Sequence, residues 1–299
     1  MSEQRSDGEG ISRRGFIGLS AGVVAATVGA GAIAVSAISE ETTTDQLVSH
    51  FAEGSVPASD PEDGRWQDIP AFDVALTPQQ MTTPMLQGIS VPTLQVRSMN
   101  DGAQIAFLLE WEDAEQDDID AMARFHDAVA VELPTATAPT ASSMGQSGAP
   151  VHILQWRASW QADIDRGRQT VEDAFPNMYP GPRPEDLMGQ EKAAVYYPGV
   201  YVGNPQSSRN RTQPVEELTS IGFGSLADMD EQRAVGKGVY TGAGWKVAMG
   251  TSMLGGKDRF AGAPKTQVAF AAWSGSKENR GSRKQWADWT DFRIEGGSA

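Results

Sequence analysis

Apolar and polar residues alternate over Thr93–Arg97, turn chemistry follows at Asn100-Asp101-Gly102, and the largely apolar run from Gln104 to Trp111 comes next. This pattern predicts a β-hairpin with Ile105, Phe107, Leu109 and Trp111 on one face. Further strands are predicted over residues 127–133, 151–156, 195–202, 238–249, 266–273 and 289–294. The run Val151–Trp156 is apolar on both faces apart from His152 and Gln155, which predicts a strand covered on both sides. Helical spacing is confined to 114–124 and 163–175, where Val171 and Phe175 stand four apart. Short strands, 32 glycines, 17 prolines and no helix–strand rhythm predict an all-β fold, an antiparallel β-sandwich with short helices. Residues 176–194 fit neither pattern and read as one long irregular insertion, a functional or interface-forming loop.

The N-terminal end breaks with this pattern. In ISRRGFIGLSAGVVAATVGAGAIAVSAIS, residues 11–39, two adjacent arginines precede a long run without charge. Ser12-Arg13-Arg14-Gly15-Phe16 resembles the twin-arginine export signal, and Val35-Ser36-Ala37 offers small residues for cleavage. Uncleaved, Ile17–Ile38 is long enough to anchor in a bilayer. The chain therefore divides into a signal or anchor (1–38), a polar linker without periodicity (39–65) and a β-sandwich domain (66–299). The expected location is the periplasm or the outer face of the cytoplasmic membrane.

Composition then excludes whole classes of chemistry. There is no cysteine, so disulfides, thiolate metal sites, iron–sulfur clusters and covalently attached haem are ruled out. The net charge of −15 repels phosphate backbones and argues against a nucleic-acid partner. Only seven lysines accompany 39 acidic residues, a balance suited to a salt-rich, halophilic habitat where ions screen self-repulsion. No nucleophile elbow, phosphate-binding loop or dinucleotide fingerprint is present, which argues against an enzyme acting alone.

Several blocks occur in a fixed order. Phe107-Leu108-Leu109-Glu110-Trp111 is followed by Phe125-His126-Asp127 running into Ala128–Pro134, then Met144-Gly145, then Ala149-Pro150 and the strand Val151–Trp156. Gly203-Asn204, Gly222-Phe223-Gly224, Gly244-Trp245-Lys246-Val247, Val268–Gly275, Lys284 and Trp289 complete the series. From about Trp66 to the C-terminus the chain resembles the haem b-binding γ subunits of ethylbenzene dehydrogenase, dimethylsulfide dehydrogenase, and selenate and chlorate reductases. The resemblance implies one non-covalent haem b held between a methionine and a lysine, an iron site formed here by Met144 and Lys284. Met144 precedes the Pro-Val strand, and Lys284 stands eleven residues beyond Trp273, as the family pattern requires. The chain departs from that pattern at Ser274, where Asp is usual, and near Gly250, where an Arg often follows, which bears on contacts at the haem edge or propionates.

Such a pair is chemically coherent. A thioether is a soft neutral ligand that favours ferrous iron, and an amine ligates only when deprotonated, which desolvation promotes. The rivals are Lys277 for the amine and His126 or His152 for a histidine–methionine site; Trp156 and Trp273 are core residues that could flank the haem. The implied function is a non-catalytic electron-transfer subunit, an exported cytochrome b. Its implied partners are a molybdopterin catalytic subunit, an iron–sulfur β subunit, and a soluble or membrane redox carrier. The competing classes are a carbohydrate-binding module, since similar sandwiches bind sugars on aromatic faces and eight tryptophans are available, and a structural surface protein on a membrane tether.

Overall fold

The computed structural model describes residues 46–135, 144–177, 198–208 and 211–296. The expected signal (1–38) and residues 178–194 of the expected insertion lie outside them. Among the described residues, no helix is long and apolar enough to cross a membrane.

The hairpin forms as expected: β4 (Thr93–Asn100) pairs antiparallel with β5 (Gln104–Glu112), and Ile105, Phe107, Leu109 and Trp111 all enter the core. Beyond β5 lie β11 (Gly244–Ser252) and β10 (Val235–Tyr240); beyond β4 lie β1 (Leu47–Phe51) and β14 (Thr290–Ile294). These strands make the first layer. The second contains β6 (Ala128–Pro134), β7 (Val151–Arg157), β8 (Val215–Ser220) and the short β9 (Ala227–Asp228). β12 (Lys265–Trp273) belongs to both: its first half pairs with β14 and its second half with β6. The short strands β2 (Phe72–Ala75), β3 (Thr77–Pro78) and β13 (Gln285–Trp286) attach to β4, β13 and β12.

Side chains of the two layers meet in one core. Val96, Phe107, Val247 and Met249 come from the first layer; Val129, Val131, Leu154, Trp156 and Phe270 come from the second. Trp156 sits at its centre, 4.8 Å from Trp245 and 6.3 Å from Trp111 between ring centroids, both edge-on. Burial of this kind supplies about 25 cal/mol per Å² of apolar surface and dominates the stability of a chain without disulfides.

Five segments differ from expectation. The stretch expected as linker contains β1, which runs parallel to both β4 and β14, so the sandwich is mixed rather than wholly antiparallel. Just beyond, Val56, Ala58 and the fully buried Trp66 cover the outer face of β5 through Ala106 and Leu108. Within 195–202 the described residues contain the helical turn Pro198–Tyr201, where Pro198 and Gly199 disfavour a strand. Residues 238–249 form parts of two strands, because Gly242 takes φ +87° and turns the chain back. The acidic run 114–124 is irregular, and the expected helix at 163–175 is two pieces: α1 (Ala158–Arg166), which begins earlier and stops at Gly167 with φ +87°, and a short turn α2 (Val171–Ala174).

Candidate functional site

The outer face of the second layer holds a cavity of about 660 Å³, within the range of roughly 300–1,000 Å³ typical of sites for small molecules and cofactors. Strand alternation creates it. In β6, Val129, Val131 and Leu133 point into the core, which leaves Ala128, Ala130 and Glu132 on the opposite face. In β12, Val268, Phe270 and Ala272 join the core while Ala269, Ala271 and Trp273 face outward. The pairing sets Ala271 beside Ala130 and Ala269 beside Glu132, so four small side chains form a low floor. Ile153, Leu218, Phe223, Leu226, Trp273 and Trp286 raise the walls around it.

Met144 and Lys284, far apart in the chain, both line this cavity. Met144 adopts φ +69°, an uncommon conformation for a residue with a side chain, and Gly145 follows at +75°. Its carbonyl accepts a 2.8 Å hydrogen bond from the Gly222 N–H, which fixes the turn against the end of β8. Only glycine fits at 145, since a Cβ would fall 2.6 Å from the Ser220 carbonyl oxygen. The Met-Gly pair is thus a backbone device that holds the thioether over the sheet.

Lys284 is fixed from the other side. It ends the loop between β12 and β13, and its carbonyl accepts from the Gln79 N–H at 2.9 Å. The buried Gln79 also donates to Ser282 O at 2.8 Å, while Gln285 donates to Ala272 O at 3.1 Å and Asn279 Oδ1 at 2.9 Å. The ammonium nitrogen lies 5.6 Å from the centre of the Trp273 ring. Burial lowers the Lys284 pKa and favours the neutral amine, and the negative charge of Glu132 opposes this. Burial likewise raises Glu132, to about 8, against the pull of Lys284 and of the Met144 N–H. Glu132 Oε1 has no hydrogen-bond partner.

The rival residues fall elsewhere or are otherwise engaged. His152 is fully buried on the core side, accepting from the Phe260 N–H at Nδ1 (3.2 Å), with Nε2 3.1 Å from Glu217 Oε1. Lys277 is exposed, 3.9 Å from Glu115. His126 does line the cavity, with Nδ1 2.6 Å from Asp120 Oδ1. Trp156 belongs to the core and has no access to the cavity, whereas Trp273 forms part of its wall. Neither Ser274 nor Gly250 lines it; Gly250 lies in the other layer, where a Cβ would meet Ile105 O at 2.4 Å. Among the described residues, no group of three or more His, Asp or Glu side chains is placed to hold a metal ion.

Sequence reasoning missed Glu132, Arg157 and Arg280, which also line the cavity, and the alanine floor. The signal was available: in Ala-Val-Ala-Val-Glu-Leu one face is branched and the other small, then charged.

Residues 63–285 match the ethylbenzene dehydrogenase family. The chain belongs to that family. The matched span takes in the alanine floor, Met144 and Lys284. A relative of this family member is a protein of Haloferax mediterranei provisionally named a respiratory nitrate reductase heme subunit. It is 24% identical over 278 residues, which cover 90% of this chain and 82% of the relative. Among solved structures, a family 9 carbohydrate-binding module from Caldicellulosiruptor kristjanssonii, in complex with glucose, aligns over 84% of this chain and 96% of its own, at 7% identity and a TM-score of 0.40. The same module in complex with cellotriose aligns over 84% and 94%, at 6% identity and a TM-score of 0.39.

Proposed function

We propose that the cavity binds one haem b non-covalently between Met144 and Lys284, and that the protein is a non-catalytic electron-transfer subunit of an oxidoreductase complex. The observation that carries this is the convergence of a thioether and a desolvated amine, held by separate loops, on one apolar cavity. The residues present fit the group. The floor is flat and made of small side chains, the walls are aromatic and aliphatic, and the soft sulfur suits a ferrous centre. When bound, haem supplies a one-electron couple.

The chain supplies the rest. The turn at Met144-Gly145 sets the sulfur, and the Gln79–Ser282 and Gln285–Asn279 hydrogen bonds set the amine. Burial lowers the pKa of the amine and so favours its deprotonated, ligating form, and the apolar walls disfavour water. Met144 and Lys284 would together hold the haem, which would then serve electron transfer rather than substrate binding, so the chemistry would belong to a partner. The partners that fit this role are a molybdenum catalytic subunit and its iron–sulfur subunit, with a redox carrier completing the chain. The relative named as a nitrate reductase heme subunit supports such an assembly.

Export by the twin-arginine route, ahead of assembly outside the cytoplasm, is part of the same proposal and rests on Arg13 and Arg14. A double Arg→Lys variant at these positions should stay inside the cell, and its normal export would remove this part. The cofactor itself is tested by a pyridine haemochrome assay on natively produced protein. A haem b spectrum near one equivalent is expected. Protein without a Soret band would overturn the proposal and leave the sugar-binding alternative.

A further inference from the structure

The cavity lining is uneven in charge. Glu132 and Lys284 face each other in its depth, and the other ionisable side chains of the lining, His126, Arg157 and Arg280, stand toward the opposite end of β6. There Ala128 pairs with Arg157 across β6 and β7, His126 precedes it by two residues, and Arg280 lies over the ring of Phe125 at 4.2 Å. All three line the cavity, together with Gln155.

The two arginines differ in how far they are satisfied. Arg157 pairs with Glu216 and also bonds Gln206 and, at 3.3 Å, Gln155, yet its buried Nε donor has no partner. A buried, unpaired N–H on a guanidinium carries a desolvation penalty that a bound acceptor would relieve. Arg280 is exposed; its guanidinium donates to the Glu278 carbonyl at 3.2 Å and has no carboxylate partner among the described residues. The acids nearby are already committed, Glu216 to Arg157 and Asp120 to His126. On a chain of net charge −15, an end of the cavity where, among the described residues, one guanidinium has no carboxylate partner and another has an unpaired Nε is a local exception.

We infer that Arg280 and Arg157 receive the two propionate carboxylates of the haem, and that this end of the cavity fixes which way round the macrocycle enters. This rests on the cavity being a haem site. A flat apolar ring with both carboxylates on one edge matches a floor of alanines with the Arg280 guanidinium and the unpaired Arg157 Nε toward one end. Charge-assisted Arg–carboxylate bonds are the strong class, and bidentate geometry adds orientation. Ser274 and Gly250, outside the cavity, take no part.

The test is uptake of two probes by the refolded, haem-free full chain: ferric haemin, and its dimethyl ester, in which both carboxylates are masked. Wild-type protein should bind haemin about tenfold or more tighter than the ester. Arg280→Gln should lose most of that preference, while the Soret and low-spin bands of bound haemin stay in place because the axial residues are untouched. Arg157→Lys, which keeps a charge near Glu216 but lacks the Nε donor, should lose part of it. Equal wild-type affinity for the two probes, or a full preference retained by Arg280→Gln, would overturn the assignment. Failure of the wild type to take up either probe would instead remove the haem site itself.

Discussion

Glu132 and Lys284 face the same apolar cavity, and each holds the other away from the protonation state that burial alone would give it. Burial pushes the carboxyl up to about 8 and the amine down, while their mutual attraction favours the charged pair. Ligation changes the balance, because a metal binds only the free amine and so competes with a proton for Lys284.

Removal of the Glu132 charge should therefore favour ligation. In Glu132→Gln the amine loses the attraction that raises its pKa, so the deprotonated form persists to lower pH. A pH titration of the haem-loaded protein should show the low-spin spectrum lost at lower pH in this variant than in wild type. An unchanged or higher midpoint would show that Glu132 does not oppose release of the Lys284 proton.

The alanine floor predicts a separation of binding from folding. Ala130→Leu and Ala271→Leu add side chain to open space rather than to the packed core, so stability should change by less than about 1 kcal/mol. Haemin uptake should fall at least about tenfold, since the floor would rise into the ligand's volume. Thermal unfolding and a haemin titration, run together, would show a contradiction if uptake were unaffected.

The turn that holds Met144 should be the costly place to change a glycine. Gly145→Ala brings a Cβ to 2.6 Å from the Ser220 carbonyl oxygen, whereas Gly148, also at positive φ (+81°), has open space around it. Both substitutions incur the left-handed penalty of roughly 1–2 kcal/mol, but only the first forces backbone apart. Denaturant unfolding should place Gly145→Ala below Gly148→Ala in stability, and equal losses would show that the contact relaxes freely.

Acid stability should depend on Glu217. Hydrogen bonds from His152, Thr251 and the Arg233 N–H hold this buried carboxyl down at about 2 against the desolvation that would raise it. A depressed folded-state pKa contributes stability that is present above the unfolded value of about 4.5 and is lost as pH falls toward 2. The contribution is on the order of 3 kcal/mol. Unfolding measured from pH 5 to 2 should show that slope in wild type and a shallower one in Glu217→Gln; identical slopes would assign the acid response elsewhere.

The sequence announced the sandwich where one strand face was apolar and the other polar, as in Thr93–Arg97 of β4, and where a short run was apolar on both faces, as in β5 and β7. It concealed β8, because Val-Glu-Glu-Leu places two carboxylates in the interior, where Arg157 and the His152–Arg259 pair meet them. It concealed β1, whose place between two distant strands is set by tertiary pairing rather than by periodicity. Met144 and Lys284 were legible only through resemblance, since neither spacing nor composition marks a thioether and an amine as neighbours. Glu132 and the alanines were written in β6 yet meaningless until β12 lay beside it.

The central claim is tested most directly by the optical and carbon monoxide spectra of haem-loaded wild type, Met144→Ala and Lys284→Ala, normalised to bound haem because cofactor binding and folding are linked. Wild type should be low-spin and inert to carbon monoxide in the ferrous state. Each single variant should open one axial position, shift toward high spin and bind carbon monoxide, while Lys277→Ala should match wild type. If both single variants kept the wild-type low-spin spectrum, Met144 and Lys284 would not be the axial pair.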